Sequence, residues 1–158
     1  MKKIVSILIL FFLVTPVFSQ KKKKVKELHI TSVTEFVEIS GKKLMDSKTI
    51  FDKNGEIIEE QKYDDKGKLL STTKYKLDVN NDVIEELEYN ATNKLLQKKT
   101  CKYNYLQKKT EESFFNDKNA MVKKHVYTYD AKGLKLSKTT YNGLNKIVSK
   151  KIYTYAYK

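Results

Sequence analysis

The sequence predicts an all-β protein, an antiparallel meander of tandem β-hairpins, and three observations carry that prediction. An aromatic or large aliphatic anchor recurs at Phe51, Tyr63, Leu77, Tyr89, Tyr103, Phe115, Tyr129, Tyr141 and Tyr155, in steps alternating 12 and 14 residues, a 26-residue double repeat. Self-similarity at a fixed period marks tandem supersecondary units. The residue after each of the first eight anchors is Asp or Asn: Asp52, Asp64, Asp78, Asn90, Asn104, Asn116, Asp130 and Asn142. The residue four after the anchor is Gly55, Gly67, Asn81, Asn93, Gln107, Asn119, Gly133 or Asn145, so only Gln107 departs from a Gly/Asn rule.

The elements follow in chain order. Lys2 and Lys3, the apolar run over residues 4–14 and Val17-Phe18-Ser19 read as a signal peptide, residues 1–19, cleaved before Gln20. The run is shorter than the roughly 20 residues that span a bilayer, and no Cys follows it, which argues against a lipoprotein anchor. Cleavage would leave 139 residues and lower the formal charge from +13 to +11. Residues 20–26 read as a basic, disordered tail, because a run of like charges is usually a solvated end. Residues 27–50 read as capping strands, with a short helix as the alternative. Val37 lies 14 before Phe51 and Gly41 follows at +4, but Glu38 stands where the repeat has Asp or Asn.

Residues 51–158 read as the hairpin array. Asp or Asn opens a type I turn by accepting hydrogen bonds from the backbone ahead of it, and Gly or Asn tolerates the left-handed conformation that closes it. The expected loops are residues 53–55, 65–67, 79–81, 91–93, 105–107, 117–119, 131–133 and 143–145. That register pairs each anchor with the residue six later, as in Phe51/Ile57, Tyr63/Leu69 and Leu77/Val83, with Lys109 and Lys135 in two of the aliphatic places. Pairs of this kind contribute roughly 0.2–1 kcal/mol each.

Both steps are even, so with uninterrupted strands every anchor would return to one face of the sheet. A second column, Tyr75, Cys101, Tyr127 and Tyr153, stands two before alternate anchors. Polar strand centres imply a thin core, single-layered in places. Steps of two lengths shift the register by two residues per repeat, about 7 Å, and tilt with stagger favours a strongly curled sheet or barrel-like closure. The alternative is an open, twisted single-layer sheet.

No converging catalytic set is visible. His29 and His125 lack metal-ligand spacing to one another or to Cys101. Neighbouring acids such as Glu59/Glu60 and Glu111/Glu112 point to opposite faces of a strand. No catalytic, cofactor-binding or metal residue is assigned, and the binding residues are not identified. One mature Cys forms no internal disulfide, and Cys101 reads as a packing residue in the Tyr column. All 32 basic residues are Lys. The absence of Arg argues against sequence-specific nucleic-acid reading, in which bidentate guanidinium contacts dominate. An outer-membrane barrel needs an uninterrupted apolar outer face, and residues 135–140 offer none.

The unit Tyr127-Thr128-Tyr129-Asp130-Ala131-Lys132-Gly133-Leu134 resembles the tyrosine–aspartate (YD, Rhs-type) repeats of bacterial surface proteins. Phe51-Asp52-Lys53-Asn54-Gly55-Glu56-Ile57 and Tyr63-Asp64-Asp65-Lys66-Gly67-Lys68-Leu69 also resemble MORN-type antitoxin repeats. The resemblance covers about residues 49–158 and departs at Leu77, Asn81 and Gln107. It implies a secreted or envelope β-repeat protein in contact with carbohydrate or another protein, without catalytic residues; the basic charge balance separately points to an anionic polymer as a partner. The Lys-rich, Arg-free, Asn-rich composition looks like that of an AT-rich Bacteroidetes-type bacterium. The expected function is an exported, non-enzymatic scaffold or binding module. A toxin-related or hydrolytic enzyme is the alternative, favoured by a pocket with two carboxylates or by His125 beside one.

Overall fold

All eight repeat turns form as the spacing dictates. In each, the Oδ1 atom of the Asp or Asn accepts from the backbone N–H groups two and four residues on, as Asp64 does from Lys66 (2.9 Å) and Lys68 (2.8 Å), and Asn142 from Leu144 and Lys146 (3.0 Å each). Each loop closes on a left-handed residue, from Gly55 (φ 78°) through Gln107 (φ 55°) to Asn145 (φ 59°). Gln107 therefore adopts the conformation despite its side chain, because its turn, like the others, closes backbone hydrogen bonds that hold it there: Gln107 N donates to the Asn104 carbonyl and Asn104 N to that of Lys108.

The computed structural model describes residues 16–157, so most of the expected signal peptide, residues 1–15, lies outside the described residues. One helix, α1 (Pro16–Glu27), precedes ten strands: β1 (Ser32–Ile39), β2 (Lys42–Phe51), β3 (Ile57–Tyr63), β4 (Leu69–Leu77), β5 (Val83–Asn90), β6 (Leu95–Tyr103), β7 (Lys109–Asn116), β8 (Met121–Tyr129), β9 (Lys135–Asn142) and β10 (Ile147–Ile152). They form one antiparallel sheet in chain order, β1 to β10. β1 and β10 are its two edges, so the sheet is open and the expected barrel-like closure does not occur.

The physical reason lies in the turns. Every anchor pairs with the residue six later, Lys109 and Lys135 included. The next pair skips one residue: Phe51 faces Ile57, Ile50 faces Glu59, and Ile58 is left over. The same bulge recurs at Leu70, Ile84, Leu96, Thr110, Val122, Leu136 and Val148. One extra residue reverses the face phase of the strand that follows. Successive anchors therefore alternate faces, which corrects the expectation that all share one. Phe51, Leu77, Tyr103, Tyr129 and Tyr155 lie on a first face with Tyr75, Cys101, Tyr127 and Tyr153. Tyr63, Tyr89, Phe115 and Tyr141 lie on the second. With the apolar load divided, neither face must be turned inward, and closure loses its driving force.

The stagger survives. A row of directly paired residues runs Glu59, Lys74, Leu87, Lys98, Phe115, drifting from one end of the sheet to the other over five strands. Among the described residues no large side chain is fully buried; Phe51 and Cys101 are the buried hydrophobic residues of the sheet. The sheet is a single layer held by cross-strand contacts.

Residues 20–26, expected as a disordered tail, belong instead to α1. Lys, Gln and Glu are good helix formers, and Lys24 and Lys26 in the last turn complement the helix dipole. Burial of Val25 (3 % exposed) and a Lys22–Glu56 ion pair tie the helix to the first turn of the array. The helix ends in a Schellman motif: His29 is left-handed (φ 50°), Ile30 N donates to the Val25 carbonyl and His29 N to that of Lys26. The cleavage point expected after Ser19 falls inside α1. Residues 27–50 supply the rest of α1's exit and the β1–β2 hairpin, turned by Ser40 and Gly41, both with positive φ.

Candidate functional site

Three places gather chemistry-bearing side chains, the first two of them on the first face. The first is a row across β6–β9, where Cys101 faces Glu112, Glu112 faces His125, and His125 faces Thr140. Register brings together residues that sequence spacing kept apart. Glu112 accepts from Lys109 Nζ at 2.8 Å and from the Tyr127 hydroxyl. Burial works against its charge, but those two donors outweigh it and hold the carboxyl below its ordinary value. Lys109 is correspondingly held up: burial opposes its charge, and the hydrogen bond to Glu112 prevails. Burial pushes the Cys101 thiol up, so it stays protonated, and pushes the Tyr103 hydroxyl up to about 12.

His125 contacts Thr140 Oγ1 through Nδ1 at 3.0 Å and packs edge-on against Phe114 and Tyr127. Burial lowers its pKa, and the Lys138 and Lys123 charges lower it further, so the ring is neutral. The strand that carries Glu112 lies between Cys101 and His125, so the register does not set the thiol and the imidazole opposite one another. Among the described residues no three His, Cys, Asp or Glu side chains come together to hold a metal ion.

The second place is a cavity of about 330 Å³ between α1 and β1–β3, lined by Val25, Phe51 and Ile57 with Glu35, Glu56 and Glu60. This is the pocket of carboxylates that the enzymatic alternative asks for. Each carboxylate has a donor: Ser47 Oγ on Glu35 at 3.0 Å, Lys22 on Glu56, and the Tyr75 hydroxyl on Glu60 at 2.5 Å.

The third place is the C-terminal end of the sheet, which the sequence reading did not single out. Residues 121–158 carry nine Lys and a single acid, Asp130, whereas residues 51–120 carry 13 Lys and 14 acids. Asp130 is committed to its turn, accepting from Lys132 N and Leu134 N. Among the described residues, all seven ion pairs lie between residues 22 and 117. Four of the six lysines of β8–β10 lie over aromatic rings, Lys123 over Phe114 at 4.3 Å, Lys124 over Tyr141 at 4.9 Å, Lys135 over Tyr127 at 4.9 Å and Lys138 over Tyr127 at 5.6 Å. Counting charge by segment would have found this asymmetry; the lack of partners needed the register. No helix among the described residues is long and apolar enough to cross a membrane.

No protein-family model matches the chain, and no curated protein does. Among solved structures it is similar to a protein of unknown function from Bacteroides fragilis, at 15% identity and a TM-score of 0.41, over 77% of this chain and 91% of that one. It is also similar to TarM, at 16% identity and a TM-score of 0.32 over 87% of this chain and 24% of TarM. An S. aureus TarM point variant in complex with fondaparinux, α-GlcNAc-glycerol and UDP matches at 16% identity, TM-score 0.31 and the same coverage. The chain spans about a quarter of TarM's length. Likenesses at this level assign no role to any residue here.

Proposed function

We propose that this chain is an exported, non-enzymatic β-repeat binding module of the bacterial cell envelope, and that the C-terminal strands of its sheet hold an anionic polymer. The observation that carries this reading is the cationic end of the sheet: nine lysines against one turn-bound aspartate over residues 121–158, with the ion pairs confined to the rest of the described chain. Lysine ammoniums without carboxylate partners raise the local concentration of polyanions, and tyrosine rings between them offer flat apolar surface. A single-layer sheet leaves such a surface accessible. The leader-like N-terminus and the YD-like rhythm support export and a surface role.

The test is retention of the exported protein on immobilised dextran sulfate and polygalacturonate against neutral dextran, with N-terminal sequencing of the product. Retention on both polyanions that falls steeply with salt, none on neutral dextran and a mature start at Gln20 are expected. No retention on either polyanion at low ionic strength would remove the binding role, and a product that retains residues 1–19 would remove cleavage after Ser19.

The glutamate-lined cavity under α1 favours a second reading, a hydrolytic site. It requires at least one of Glu35, Glu56 and Glu60 to leave its donor. Hydrolysis of a glycan substrate that is lost in E60Q would establish it.

A further inference from the structure

The repeat has a carboxylate position on the first face, at Glu60, Glu86 and Glu112, each 26 residues after the last. In every case the carboxylate is the acceptor for its neighbours. Glu60 takes the Tyr75 hydroxyl, Glu86 pairs with Lys99, and Glu112 takes Lys109 Nζ and the Tyr127 hydroxyl. The next position in the series is Lys138. Its neighbours keep their repeat identities: Lys135 stands where Lys109 stands one repeat earlier, and Tyr153 where Tyr127 stands. Directly opposite Lys138 stand Tyr127 on β8 and Lys151 on β10.

The terminal repeat therefore retains the donors of the Glu112 cluster and lacks its acceptor. Lys138 and Lys151 face one another across the β9–β10 pair, an arrangement of like charges that destabilises a sheet. Lys138 Nζ lies 5.6 Å from the Tyr127 ring centroid, and Lys135 Nζ lies 4.9 Å from the Tyr127 ring and 5.8 Å from the Tyr153 ring. Lys151 and Tyr153 are exposed, so the cluster opens to solvent. Among the described residues none of these lysines has a carboxylate partner, the ion pairs ending at Asp117.

We propose that Lys135, Lys138, Lys151 and Tyr153 form a binding site for an external oxyanion, which takes the place that the Glu112 carboxylate fills one repeat earlier. The ligand class is a sulfate, carboxylate or phosphate group carried on a polymer. The site rests on the anionic-polymer reading above and gives it a location: the first face of β9–β10, not the cationic end as a whole.

The test compares K138E with K124E. Lys124 lies on the second face, over the Tyr141 ring, and both variants change the net charge by the same amount. Affinities are measured for dextran sulfate, polygalacturonate and inorganic polyphosphate, the three arms separating sulfate, carboxylate and phosphate recognition. K138E supplies the missing carboxylate internally and should lose about tenfold or more in affinity for the polymer that binds wild type best, with K124E losing far less. Equal losses in the two variants would overturn the site while leaving the polymer reading standing. Absence of wild-type binding in all three arms would overturn both. Circular dichroism verifies folding, and should K138E not fold, K138Q against K124Q decides on the same criterion.

Discussion

The Tyr129 hydroxyl donates a 2.7 Å hydrogen bond to the backbone carbonyl of Lys109, twenty residues earlier in the chain. The same link joins Tyr103 to Val83 (3.0 Å) and Tyr155 to Lys135 (2.8 Å). Ladder pairing between β7 and β8 ends at Glu111 and Val126, so the end of β8 overhangs its neighbour. The two additional residues of the long step thus carry a tyrosine past the end of the previous strand, where its hydroxyl caps the carbonyl of a turn-closing residue.

Tyr129→Phe removes that bond and keeps the ring. It should lower stability by about 0.5–1.5 kcal/mol, the net value of one hydrogen bond, read from urea denaturation. An unchanged midpoint would mean that water replaces the hydroxyl without loss.

Gly67 and Gly55 both hold positive φ, 74° and 78°, but their surroundings differ. Gly67→Val should cost about 1–2 kcal/mol, because a β-branched residue is strained there. Asn is tolerated at such positions, as Asn81 and Asn93 show, so Gly67→Asn should be mild. A Cβ at Gly55 would sit 3.0 Å from the Lys22 carbonyl oxygen and 3.3 Å from Lys26 N. Gly55→Asn should therefore cost about 1 kcal/mol more than Gly67→Asn, by displacing α1. Equal effects in thermal melts would argue against the helix docking.

Hydrogen bonds from the Lys68 and Lys66 backbone, the first outweighing the desolvation that opposes it, hold the Asp64 carboxyl below its ordinary value. A group whose folded pKa is depressed adds stability above its unfolded pKa and loses it as pH falls through the folded value. Asp64→Asn keeps the accepting Oδ1 atom and removes the titration. The stability gap between wild type and this variant should shift against wild type on acidification from pH 5 to pH 2, and parallel curves across that range would contradict the assignment.

An open sheet has two edges. Amide exchange should be fast along the outer sides of β1 and β10 and slow in β5–β7, where both neighbours pair. Protection of both edge strands equal to that of β6 would indicate that β1 and β10 find partners in solution.

The turn positions and the pairing of each anchor with the residue six later were legible in the sequence. They are local: an Asp or Asn that folds back on the next four residues specifies a turn wherever the chain runs. The exceptions at Gln107, Lys109 and Lys135 did not disturb the register, because backbone hydrogen bonds and neighbouring hairpins hold it. The tertiary structure decided what depends on a single unpaired residue per turn. The bulges at Ile58, Leu70 and their equivalents reverse each strand's faces, divide the anchors between two surfaces and leave the sheet open. Periodicity in residue number does not reveal a bulge, since it alters pairing and not spacing. The same holds for the cluster at Lys138: the substitution of Lys for the repeat's Glu is written in the chain, but only the register places Lys151 opposite it, with no ion pair to either lysine among the described residues.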